Sequence, residues 1–60
     1  MISEETLEWT KILEMRVARL NRLLSLDAPP NVLLKEVDLV DQAISRVRVL
    51  LSTANDNVSP

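Results

Sequence analysis

The chain has 60 residues, 47% of them hydrophobic and 27% charged, with seven Lys and Arg against nine Asp and Glu and a formal net charge of -2. It lacks Gly, Cys, His, Phe and Tyr, which excludes zinc fingers, disulfide frameworks, thiol chemistry, histidine-based catalysis and glycine-rich phosphate loops. A chain this short is at most one small domain, and its mixture of apolar and charged residues is that of a helical bundle rather than a disordered segment.

The first predicted helix spans about residues 3–26. Ser3 is a suitable N-cap, and Glu4 and Glu5 complement the positive end of the helix dipole. Ile2 and Leu7 occupy the positions of a hydrophobic staple, while Thr6 stands where a capping box would carry Glu. Ser25-Leu26-Asp27-Ala28-Pro29-Pro30-Asn31 is the only internal breaker, because each Pro lacks an N–H and disfavours helix in the residue before it. A second helix is predicted over about residues 30–54, with Asp27 or Asn31 as its cap. Residues 1–54 then form one domain, and the polar segment 55–60 is read as a flexible tail. The short connection makes the helices antiparallel neighbours, an all-α helical hairpin.

Each helix carries two apolar stripes. On helix 2, Leu33, Val37, Val40, Ile44, Val47, Leu51 and Ala54 alternate by four and three, the spacing of a coiled-coil seam. Val32, Leu39, Ala43 and Leu50 lie beside it. On helix 1 the matching seam is Leu13, Val17, Leu20 and Leu24, extended by Thr6 and Thr10, and the second stripe is Trp9, Ile12, Leu23 and Leu26. A hairpin buries one seam per helix, so the other is left as an apolar strip of the kind that marks an interface. Small scaffolds without disulfide or metal commonly gain stability by oligomerising. The expected architecture is therefore a homodimer of hairpins, a four-helix bundle.

Charge order favours the antiparallel fold. In both helices the acids precede the arginines, and folding back sets Arg16, Arg19 and Arg22 beside Asp41, Asp38 and Glu36, with Glu5 and Glu8 beside Arg48. The accompanying register pairs Leu24 with Leu33, Leu20 with Val37, Val17 with Val40, and Leu13 with Ile44. Arg16 interrupts the second stripe; an ion pair with Asp41 accounts for it, and the functional alternative is an anchor for an acidic partner group. Trp9 either closes the end of the bundle or serves as an interface hot spot.

No pair of carboxylates converges on a pocket and no metal-ligand set is present, so no catalytic, cofactor or metal site is expected. The N-terminus lacks a signal-peptide pattern, and the longest apolar runs are three residues, against the roughly 20 needed to cross a bilayer; the expectation is a soluble, cytoplasmic protein. The functional expectation is a protein-protein interaction module: a regulator, inhibitor or adaptor, such as small phage- and prophage-encoded inhibitors. It would dock an apolar helical face on an unidentified partner protein through Trp9, Ile12, Arg16, Leu23 and Leu26. The alternative is a dimeric RNA-binding bundle using Lys11, Arg19 and Arg22 on the basic face of helix 1. That plan resembles the small plasmid-copy-number RNA-binding proteins in architecture, with no shared motif. A further alternative is a structural subunit of a helical assembly.

Overall fold

The computed structural model describes the backbone of residues 2–58 and the side chains of residues 2–54. It consists of two helices, α1 (Glu4–Ser25) and α2 (Pro30–Val58), packed against each other as an antiparallel hairpin. Ser3 caps α1 as its sequence predicts: its backbone is extended, and its Oγ accepts from the Thr6 amide at 3.2 Å. The Ser3 and Thr6 hydroxyls also share a hydrogen bond of 2.8 Å. Thr6 thus takes part in the cap at the position where a capping box has Glu, and it is only 3% exposed.

The end of α1 is a Schellman motif. The Ala28 amide donates to the Leu23 carbonyl and the Asp27 amide to the Leu24 carbonyl, both at 3.1 Å. That geometry requires a left-handed residue, usually Gly. With no Gly in the chain, Asp27 adopts it at φ 60°. Pro29 and Pro30 follow, where the helix cannot continue. Neither Asp27 nor Asn31 caps α2, contrary to the sequence-based expectation. The Pro29 carbonyl closes the first turn, accepting from Val32 at 3.0 Å and Leu33 at 3.1 Å. Pro30 fits the first helical position because its ring presets φ and it carries no amide to leave unpaired. At the other end α2 runs to Val58, beyond the predicted end near Ala54. The polar stretch from Asn55 contains no Gly or Pro before Pro60, so nothing there forces the helix to stop. Ser59 and Pro60, the rest of the predicted flexible tail, lie outside the described residues.

The hairpin is a single layer of two helices. Its principal extents are 49 × 16 × 12 Å and its radius of gyration is 14.3 Å, against about 10 Å for a compact domain of this length. The shared seam keeps Thr6, Leu13, Leu20, Val40, Val47 and Ala54 of the expected one and replaces the positions between them. Facing inward on α1 are Thr6, Trp9, Leu13, Arg16, Leu20 and Leu23, and on α2 Glu36, Val40, Ala43, Val47, Leu50 and Ala54; all are buried or half-buried. Both series alternate by three and four, so each is a proper seam. The expected inward residues Val17, Leu24, Val37, Ile44 and Leu51 are instead 36–55% exposed. Because only every second seam position changes, each helix is rotated by about half a residue, roughly 50°, within a broad apolar arc. The rotation brings Trp9 partly under cover and places the small Ala43, which is completely buried, where the helices meet.

Candidate functional site

The rotated seam gives the hairpin two flanks of different chemistry. One is defined by residues spaced seven apart: Thr10, Val17 and Leu24 on α1, and Val37, Ile44 and Leu51 on α2. It contains no charge. Its one polar member, Thr10, donates its hydroxyl to the Leu7 carbonyl at 2.8 Å, so the stripe needs no polar partner. Two open grooves lie along it. One, of about 420 Å³, is lined by Ile44, Val47, Arg48, Leu51 and Ser52. The other, of about 400 Å³, is lined by Glu14, Val17, Ala18, Leu20, Asn21 and Leu24. The apolar walls combine Val17, Leu24, Ile44 and Leu51 of the stripe with Ala18 and the seam residues Leu20 and Val47, while Glu14 and Arg48 stand on the rims.

The opposite flank is mixed. It carries Glu5, Ile12, Arg19 and Leu26 on α1 and Val32, Leu39, Arg46 and Thr53 on α2. Both ion pairs found among the described residues are here. The Arg19 Nε donates to Glu36 Oε1 at 2.5 Å, and Arg46 Nη2 donates to Glu5 Oε2 at 3.3 Å. The first is unequal: the Glu36 side chain is 8% exposed and that of Arg19 is 71% exposed. Glu36 occupies an inward position, and an unpaired carboxylate there would be costly. Arg19 reaches over the edge of the seam to neutralise it. The second pair is exposed on both sides and contributes little.

Arg16 also faces the seam, and its charge is met without a carboxylate. Its Nη1 donates to the Leu39 carbonyl at 2.8 Å and to Gln42 Oε1 at 3.1 Å. The guanidinium lies 5.8 Å from the centre of the Trp9 ring, within cation–π range. The expected pairings of Arg16 with Asp41, Arg19 with Asp38, Arg22 with Glu36, and Glu5 and Glu8 with Arg48 are therefore replaced by this set. The cause is the rotation of the seam, which moves Glu36 inward and turns Asp41 and Arg48 toward the uncharged flank.

The residues singled out from sequence for partner docking are divided by this arrangement. Trp9, Arg16 and Leu23 are half-buried in the seam, Ile12 is half-buried on the mixed flank, and Leu26 is exposed at the end of α1. An open groove of about 370 Å³ lined by Met15, Arg16, Arg19, Glu36 and Leu39 runs beside them. Of the basic residues, Lys11 and Arg22 are exposed, and Arg19 is engaged by Glu36. Sequence reasoning placed Val17, Leu24, Val37, Ile44 and Leu51 inside the hairpin and so missed them as a surface. The available signal was the absence of charge at all six positions of that seven-residue series. Among the described residues no helix is long and apolar enough to cross a membrane. The chain matches no protein-family model, no curated protein and no solved structure.

Proposed function

We propose that this protein is a small non-catalytic interaction module that acts as a regulator, inhibitor or adaptor by docking an apolar helical face on a partner protein. In this reading the hairpins pair into a four-helix bundle through the uncharged flank, and the mixed flank meets the partner. Ile12 and Leu26 are the outer contacts there, with Trp9, Arg16 and Leu23 supporting them from the seam. The observation that carries the reading is the segregation of exposed apolar side chains. Among the described residues twelve large hydrophobic side chains are exposed, and five of them form one charge-free stripe. Contiguous apolar surface of this kind is characteristic of association faces.

RNA binding through Lys11, Arg19 and Arg22 is the weaker reading. Arg19 is held by Glu36, and the net charge is -2. The two readings separate in a salt series on the complex captured from the source cells. Apolar docking predicts an affinity that is nearly flat with salt and is lost on Ile12→Asp or Leu26→Asp. Phosphate contact predicts an affinity that falls steeply with salt and depends on Lys11 and Arg22; that result would replace the present reading.

A further inference from the structure

We infer that a second copy of this chain covers the uncharged flank in one particular orientation, with the two hairpins antiparallel and the two-fold axis passing beside Ile44. The inference rests on the proposed reading of the flank as an association face, and it specifies the occupant and its geometry.

Area and charge each argue for it. A compact 6.8 kDa protein exposes about 4,000 Å², whereas this hairpin exposes 4902 Å². The excess of roughly 900 Å² is close to what each partner buries in a stable interface. The flank is uncharged and isologous pairing needs a self-complementary patch, so the rims decide the orientation.

Two face-to-face arrangements satisfy a two-fold axis. With both turns at the same end, α1 of one copy lies on α2 of the other at equal distances from the turn. The Arg16 bonds to Leu39 and Gln42 show that Glu14 and Asp41 are at nearly the same level. That arrangement sets Glu14 beside the partner's Asp41, twice, like charge against like. With the turns at opposite ends, α2 crosses the partner's α2 near its midpoint, which is Ile44 in a helix running Pro30–Val58. Val37 then lies opposite the partner's Leu51. Asp41 lies opposite the partner's Arg48, twice, in favourable pairs. On α1 the same axis brings Val17 to the partner's Leu7, an exposed apolar residue.

The chain has no cysteine, so Ser25→Cys places one spin label beside each turn. Pulsed dipolar spectroscopy on the full chain then reads the distance between turns. The antiparallel dimer predicts roughly 40 Å, from 1.5 Å of rise per residue on either side of the axis. Turns at the same end predict about 20 Å or less, the width of two helices. Arg48→Asp is expected to weaken association by about tenfold or more, and adding Asp41→Arg is expected to restore it; circular dichroism confirms that each variant remains helical. A short distance overturns the orientation while leaving the flank an association face. A single-chain mass with no dipolar coupling overturns self-association, and the interaction reading then stands only if Ile12→Asp or Leu26→Asp abolishes capture of a different protein. A chain that is monomeric and captures nothing defeats both.

Discussion

Removing either partner of the Arg19–Glu36 pair is expected to have unequal effects. Glu36 is 6% exposed and sits among inward-facing residues, while the Arg19 side chain is mostly in water. In Arg19→Ala the carboxylate stays at the seam and loses its charged donor. Hydrogen bonds to charged groups contribute about 1.5–3 kcal/mol, and the open edge of the seam admits some water, so a loss of about 2 kcal/mol is expected. For a chain of this size that lowers the melting temperature by about 15 °C. In Glu36→Leu the guanidinium simply returns to solvent, and an apolar side chain fills an apolar position. Exchanging a buried ion pair for packed hydrophobic residues is commonly neutral or stabilising, so the expected change lies between zero and a gain of about 1 kcal/mol. Thermal and urea unfolding followed by circular dichroism, at one fixed protein concentration because association adds to apparent stability, measures both. In the Glu36→Leu background Arg19→Ala should cost almost nothing. If Glu36→Leu destabilises as much as Arg19→Ala, the pair is not an enclosed carboxylate served by an outer cation, and the inward assignment of Glu36 is refuted.

Other expectations follow from local geometry. Asp27→Gly should stabilise by about 0.5–1 kcal/mol, because Asp27 holds a left-handed conformation that glycine adopts freely; an unchanged or lower urea midpoint would count against the Schellman turn. Ser3→Ala should cost about 1 kcal/mol in the same unfolding assay, and Ser3→Asp should recover most of it. Arg16→Ala removes two hydrogen bonds and the stacking on Trp9, for a cost of about 1–2 kcal/mol. It should also shift Trp9 fluorescence, and an unchanged emission spectrum would contradict the stacked geometry.

The features readable from sequence are those fixed within a few residues. Ser3 followed by Glu4 and Glu5 marks the start of α1, and Pro29-Pro30 makes the turn unavoidable, so the hairpin follows from local chemistry. The seam was not readable in the same way. Leu13, Leu20, Val40 and Val47 belong to both seams, and the positions between them can be filled by Val17, Leu24, Val37, Ile44 and Leu51 or by the equally apolar Trp9, Leu23, Ala43 and Leu50. A three-four alternation can be drawn through either set. What distinguishes them is tertiary: the small, fully buried Ala43 permits close approach, Trp9 gains cover, and Arg19 neutralises the inward Glu36. Glu36 carried a misleading signal, because an acid reads as a surface residue until a cation reaches it. The flank now proposed for association was visible in the sequence as apolar residues and misassigned by a half-residue turn of each helix.

Sedimentation equilibrium of the unmodified chain over a wide concentration range, beside Ile44→Asp, tests the central claim most directly. Self-association through the uncharged flank predicts twice the chain mass of 6.8 kDa for the natural protein and a single-chain mass for the variant. A natural protein that stays at the single-chain mass, or a variant that still forms the dimer, would contradict it.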